Sequence, residues 1–68
     1  MKAETLNDAK TLFDEGLKFL QNNDYQNAEV KFIKSLDLAP GRLSIIHNLI
    51  SIYVNTNQKN KLNDILKK

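Results

Sequence analysis

The sequence of 68 residues contains no cysteine and no tryptophan, and only one proline, two glycines and one histidine. Because cysteine is absent, the chain forms no disulfide bond and offers no thiolate to a metal ion. The single histidine, His47, excludes a metal site built from several histidines. No apolar run approaches the roughly 20 residues of a membrane-spanning helix, and the N-terminal sequence MKAETLNDAK lacks the apolar centre of a signal peptide. We therefore predict a cytoplasmic protein without a cofactor and without a membrane partner.

Charge is distributed unevenly along the chain, although the net charge is only +2. Residues 1–40 carry seven acidic residues and five lysines, a net −2, whereas residues 41–68 carry one acidic and five basic residues, a net +4. This polarity favours head-to-tail or antiparallel association of two chains. The alternative interpretation is that these charges only solvate exposed helix faces.

Two amphipathic stretches lie on either side of the segment Asn22–Asp24. Apolar or small residues recur there at the spacing of one helix face: Leu12, Gly16, Phe19 and Leu20, then Ala28, Phe32, Ser35 and Leu36. Asparagine tolerates the left-handed conformation at a helix end, and Asp24 suits the N-cap of the next helix. The pattern predicts four helices, from near Thr5 to Asn22 or Asn23, from Tyr25 to Leu38, from Leu43 to Thr56 and from Lys59 to Lys67.

Gly16 lies in the middle of the first predicted helix, where glycine costs roughly 1 kcal/mol relative to alanine. A glycine on an apolar helix face indicates that a neighbouring element approaches closely. Ala28, the small residue on the apolar face of the second helix, is the expected partner. We therefore predict a tightly packed antiparallel helix pair, ended by Pro40, because the residue before a proline is driven out of the helical conformation.

The spacing of these residues resembles the tetratricopeptide repeat (TPR), a helix-turn-helix unit of about 34 residues. Gly16, Ala28, Phe32 and Pro40 match that pattern, and Asn23-Asp24-Tyr25 is similar to the Gly-Asp-Tyr turn of the family. The departures are Leu12 for tryptophan, Glu15 for leucine and Phe19 for tyrosine. The alternative is an ordinary helical hairpin that has this spacing by chance.

A shift of 34 residues aligns the second half of the chain with the first, with Leu12 on Ile46, Phe19 on Tyr53 and Asn23 on Asn57. The resemblance thus implies an all-α fold of two antiparallel helix pairs in a right-handed TPR-like stack. It covers one domain of residues 1–68, with a good repeat at about 9–42 and a degenerate, truncated repeat at about 43–68. Ile50 and Leu62 replace the small residues Gly16 and Ala28 in the second repeat, so we expect its helices to lie further apart or to cross at a different angle.

The third predicted helix is apolar around most of its circumference, through Ile45, Ile46, Leu49, Ile50, Ile52, Tyr53 and Val54. A helix of this kind is usually buried on all sides, and a repeat array needs about three units to bury its core. We therefore expect a homodimer or a higher homo-oligomer, with Ile45, Ile50, Ile52 and Tyr53 as candidate self-association residues. The alternative is that the chain is the N-terminal part of a longer array.

No catalytic arrangement is recognisable in the sequence, and we predict that the protein is not an enzyme. His47 has no acidic residue three or four positions away on either side, and Asp14 and Glu15, adjacent on one helix, point about 100° apart. No glycine-rich phosphate loop is present. The basic end, Lys59, Lys61, Lys67 and Lys68, contains no arginine and no interleaved aromatic residue, so we expect no nucleic-acid partner.

The TPR resemblance implies a concave groove that binds another protein or a peptide. Its residues here are Lys10, Phe13, Leu17, Leu20, Gln21, Ser44, His47, Asn48, Ser51 and Asn55. Alternatively, Phe13 and Leu17 are buried against a partner subunit or a further repeat. Of the residues with which some family members bind chaperone C-termini only Asn48 is present, so we expect no chaperone-tail adaptor. The predicted function is a protein-interaction or scaffolding module, and the alternative is an N-terminal oligomerisation or targeting segment, or an excised fragment, of a larger enzyme.

Overall fold

The computed structural model describes residues 6–67, which form four α-helices and no β-strand. The helices are α1 (Leu6–Gln21), α2 (Tyr25–Leu38), α3 (Leu43–Asn55) and α4 (Lys59–Leu66). The all-α fold of two helix pairs is thereby confirmed. The predicted helix bounds agree to within two residues wherever they fall in the described range. The predicted helix start at Thr5 and the basic residue Lys68 lie outside the described residues. None of the helices within residues 6–67 has the length and apolar character needed to cross a membrane.

In each helix pair, the two helices are joined by a turn of the same type, in which an asparagine adopts the left-handed conformation. Asn23 has a φ of 59° and Asn57 a φ of 58°. The N–H of Asp24 donates to the carbonyl of Phe19 at 2.9 Å, and the N–H of Gln58 donates to the carbonyl of Tyr53 at 2.8 Å. These bonds, which join C″ to C3, define the Schellman motif that satisfies the free carbonyls at a helix end. The prediction that an asparagine in the left-handed conformation ends α1 is confirmed, and Asn57 occupies the corresponding turn after α3.

The start of α2 and its end are determined by local chemistry, as the sequence predicted. The side chain of Asp24 accepts a hydrogen bond from the N–H of Asn27 at 3.3 Å, which makes Asp24 the N-cap. Ala39 leaves the helical region, with φ −139° and ψ 71°, directly before Pro40. The chain then turns into α3, and the N–H of Arg42 donates to the carbonyl of Ala39 at 3.1 Å.

The core lies between the two helix pairs, and Phe32 is its largest fully buried side chain. The ring of Phe32 packs on the ring of Phe13 from α1, with 5.5 Å between the centroids and 52° between the planes. The other buried apolar residues are Ala9, Ala28, Ala39, Ile45, Leu49, Ile52 and Tyr53. Because most of them come from α2 and α3, the packing of the second pair onto the first depends on these two helices.

Gly16 permits the close approach that its position predicted, but its partner is Phe32 rather than Ala28. A Cβ atom on Gly16 would meet three ring carbons of Phe32 at 2.7, 2.9 and 3.0 Å. Carbon atoms attract one another best at about 3.5–4.0 Å, so a side chain at this position overlaps the ring. Ala28 is fully buried as well, yet the nearest atoms to the glycine all belong to the aromatic ring.

The second pair is less completely packed than the first. Helix α4 has eight residues, none of them buried, and it packs mainly against α3. Its Leu62 and Ile65 are partly buried against the core. A helix of this length is marginal in isolation, so its stability depends on the contacts described below.

Candidate functional site

The five predicted groove residues on α1 divide between the surface and the core. Lys10 and Gln21 are exposed, whereas Phe13, Leu17 and Leu20 are half-buried and pack against the chain's own core. Their burial is therefore partly explained without a partner subunit or a further repeat. A ligand could therefore contact only the exposed part of these three apolar side chains of α1.

The five predicted groove residues on α3 are polar and mostly exposed. Ser44, Asn48, Ser51 and Asn55 follow each other at steps of three and four residues and so form one line along the helix. Asn48 is half-buried, and its Nδ2 donates to the carbonyl of Ser44 at 2.8 Å, so part of its hydrogen-bonding capacity is used within the helix. His47 is exposed beside this line.

A depression between α1 and the N-terminal turn of α3 brings three of the ten predicted groove residues together: Lys10, Phe13 and Ser44. We call it the α1–α3 depression, and its volume is about 210 Å³. Its remaining lining residues are Ala9, Asp14, Ser35, Arg42 and Ile45. Arg42 and Asp14 were not among the predicted groove residues, because nothing in the local sequence indicates that the α2–α3 turn reaches α1.

A buried hydrogen bond fixes the floor of this depression. The hydroxyl of Ser35 on α2 donates to the carbonyl of Ala9 on α1 at 2.7 Å. Ser35 is completely buried, and so is almost all of Ala9. Since an unpaired buried hydroxyl is costly, this bond ties the C-terminal half of α2 to the first turns of α1.

A second polar cluster, unforeseen in the sequence, joins α2, α3 and α4 through the carboxylate of Glu29. Its Oε2 accepts a hydrogen bond from the hydroxyl of Tyr53 at 3.0 Å and an ion-pair hydrogen bond from Nζ of Lys61, also at 3.0 Å. The ammonium group of Lys61 lies 6.0 Å from the centroid of the Tyr53 ring. Burial of Tyr53 raises the pKa of its hydroxyl, and so do the hydrogen bond to Glu29 and the negative charge there.

This cluster borders a depression of about 470 Å³, which is lined by residues of the α1–α2 and α3–α4 turns. Its carboxylates already have partners within the chain, since Asp24 accepts hydrogen bonds from Asn27 and Glu29 from Tyr53 and Lys61. The cluster therefore acts as a structural clamp that holds α4 to the first pair. Within residues 6–67, no group of three or more His, Cys, Asp or Glu side chains is placed to hold a metal ion.

Three of the four candidate self-association residues belong to the core of the single chain. Ile45, Ile52 and Tyr53 are 2%, 0% and 5% exposed. A second chain cannot contact them while this packing is intact. The prediction that these three residues form a self-association surface is therefore corrected. Their burial follows from the contacts of α3 with α2, which the sequence pattern did not reveal. Only Ile50 keeps part of its side chain at the surface.

The surface of α3 that remains apolar is a different one. Leu43, Ile50 and Val54 lie within about 40° of each other around the helix axis, and Ile46 lies beside them. Leu43 is 67% and Val54 60% exposed, and Ile46 and Ile50 are half-buried. We call these four residues the α3 stripe. It lies on the opposite side of the helix from Ile45 and Ile52.

Comparison of the chain with protein-family models, with curated proteins and with solved structures finds no match. The TPR resemblance stays a prediction that rests on the residues and the turns themselves. The α3 stripe and the rim of the α1–α3 depression both present exposed side chains to a partner.

Proposed function

We propose that the protein is a non-enzymatic interaction module of the TPR type that associates with a second copy of itself through the α3 stripe. The observation that carries this proposal is the exposure of Leu43 and Val54 on one line of α3. Large apolar side chains clustered on one line of a helix are typical of a contact surface rather than of scattered solvent-exposed residues.

A second copy is a suitable partner because α3 carries no charged residue between Leu43 and Asn55. Two α3 helices can therefore approach face to face without repulsion between like charges in the contact. The alignment of Leu43, Ile50 and Val54 along the helix gives a narrow seam of the kind found between paired helices.

The exposed area indicates a weak dimer. Full burial of a valine or leucine side chain stabilises by about 1.5–3 kcal/mol. Leu43 and Val54 of both chains are about two-thirds exposed, so their burial contributes about 4–8 kcal/mol in total. This is comparable with the lower end of the cost of association, about 4–15 kcal/mol. We therefore expect self-association that depends on protein concentration.

The test compares the mass of the protein in solution over a range of concentrations, by sedimentation velocity or light scattering, for two matched variants. Val54→Gln removes an apolar side chain from the α3 stripe, and Val30→Gln removes an equally apolar, exposed side chain from α2. We expect Val54→Gln to weaken the dimer by more than about tenfold, because the substitution removes one valine side chain from each of the two chains, and Val30→Gln to leave it unchanged. A stably folded protein that stays monomeric at every concentration would contradict the proposal.

A further inference from the structure

We propose that the α1–α3 depression binds a free aliphatic amino acid, with its side chain on the apolar floor and its charged groups on the rim. The site shares no residue with the α3 stripe. The inference therefore goes beyond the proposed self-association and does not depend on it.

The floor of the depression is apolar and preformed. Ala9 and Ile45 are almost completely buried, and Phe13 is held by its contact with the Phe32 ring. The nearby hydroxyl of Ser35 already donates to the carbonyl of Ala9, so it does not require a ligand. An aliphatic side chain on this floor removes its own apolar surface and the exposed part of Phe13 from water without leaving a polar group unpaired.

The size of the depression selects the class of ligand. Its volume of about 210 Å³ is below the 300–1,000 Å³ or so of sites for cofactors and drug-sized molecules. A single amino acid the size of leucine or valine fits this space, whereas a nucleotide or a flavin does not.

The rim supplies both signs of charge that a zwitterion requires. Lys10 and Arg42 offer cationic groups to the carboxylate, and Asp14 offers an anionic group to the ammonium. All three side chains are exposed, and within the described part of the chain none of them forms a salt bridge. The larger depression at the helix turns differs in this respect, because the carboxylate of Glu29 there is already paired.

The presence of Asp14 decides between a free amino acid and a peptide end. The C-terminal residue of a peptide has a carboxylate and a side chain, but it offers the Asp14 carboxylate only a neutral amide N–H, which is a weaker partner than an ammonium group. The N-terminal residue of a peptide has an ammonium group but no carboxylate for Lys10 and Arg42. Of these three ligands, only the free amino acid pairs an opposite charge with each of the three charged side chains.

The experiment is a titration of the ¹⁵N-labelled protein with L-leucine, followed by ¹H–¹⁵N chemical shifts. We expect shifts concentrated at the amides of Ala9, Lys10, Ser44 and Ile45, with an affinity of about millimolar for a ligand of this size. Three further probes each lack one recognised group: leucinamide lacks the carboxylate, N-acetyl-leucine lacks the ammonium, and glycine lacks the side chain. We expect all three to bind more weakly than leucine.

Variants of the exposed rim residues test the assignment on the protein side. Arg42→Gln and Asp14→Asn should each weaken leucine binding by up to about fivefold, the usual range for an exposed charge pair. Lys34→Gln, an exposed lysine of α2 outside the depression, should leave it unchanged. If Asp14→Asn binds leucine more tightly, or if N-acetyl-leucine binds as well as leucine, the site recognises a carboxylate alone and the proposal is wrong. The absence of shifts at the α1–α3 depression up to the solubility of leucine would also overturn it.

Discussion

Replacement of Gly16 by alanine adds one methyl group to α1 where the ring of Phe32 passes closest to the helix. The new Cβ atom would lie 2.7–3.0 Å from three ring carbons. Phe32 is fully buried and its ring packs on Phe13. The Phe32 ring therefore cannot move away from α1 without disturbing its contact with the Phe13 ring.

Two opposing effects determine the stability of Gly16→Ala. Alanine is favoured over glycine inside a helix by roughly 1 kcal/mol. Insertion of a methyl group into a well-packed core costs about 1–3 kcal/mol. We therefore expect a net loss of stability of about 0–2 kcal/mol, and a larger loss for Gly16→Leu, which adds three more carbon atoms to the same contact.

A double-mutant cycle with Phe32→Leu separates the two effects. In the Phe32→Leu background the ring is absent, so Gly16→Ala keeps only the benefit of helix propensity and should stabilise the protein by up to about 1 kcal/mol. The change of sign between the two backgrounds corresponds to a coupling energy of about 1–3 kcal/mol, the range for residues in direct contact. Urea denaturation followed by circular dichroism, at one fixed protein concentration, measures all four proteins.

Gly41→Ala is the matched control, because a Cβ at Gly41 meets nothing within 4 Å and the residue does not have a positive φ. We expect it to stabilise the protein by about 0.4–1 kcal/mol through the unfolded chain. In thermal denaturation, 1 kcal/mol corresponds to about 4–8 °C for a domain of this size. If Gly16→Ala raises the melting temperature as Gly41→Ala does, the close approach of the Phe32 ring is refuted.

Three further predictions concern single residues. The unfolded chain releases the Tyr53 proton near its ordinary pKa of 10.0, whereas the folded chain retains this proton to higher pH. The free energy of unfolding should therefore fall as the pH rises above 10.0. In urea titrations, Tyr53→Phe should remove the part of this fall that is due to Tyr53. Asn23→Ala should cost about 1 kcal/mol because alanine disfavours a φ of 59°, while Asn22→Ala should cost less in the same denaturation experiment. Ser35→Ala should cost about 0.5–1.5 kcal/mol, the worth of one buried hydrogen bond; an unchanged stability would show that its bond to Ala9 contributes nothing.

The candidate site was only partly predictable from the sequence. Lys10, Phe13 and Ser44 were assigned to a groove, and the structure brings these three together. Arg42 and Asp14 were missed, because their place in the rim depends on how the α2–α3 turn lies against α1. The clamp formed by Glu29, Tyr53 and Lys61 joins residues 24 and 32 positions apart, a separation at which no local pattern indicates contact.

The sequence alone determined where the helices begin and end. Asp24, Asn23, Asn57 and Pro40 act on the backbone within a few residues of themselves, so their effect does not depend on distant parts of the chain. The sequence also placed a close contact at Gly16, because only a packing demand explains a glycine within an apolar helix face. The tertiary structure decided which residue fills that space, and Phe32 rather than Ala28 does so.

The tertiary structure likewise decided which side of α3 is covered. Helical periodicity assigns residues to faces, but α3 is apolar over about half of its circumference, so periodicity could not distinguish core from surface within that half. The packing of α2 against α3 buries Ile45, Ile52 and Tyr53 and leaves Leu43 and Val54 exposed. The residues available to a partner therefore differ from those expected, because burial depends on the neighbouring helix and not on the hydrophobicity of the residue itself.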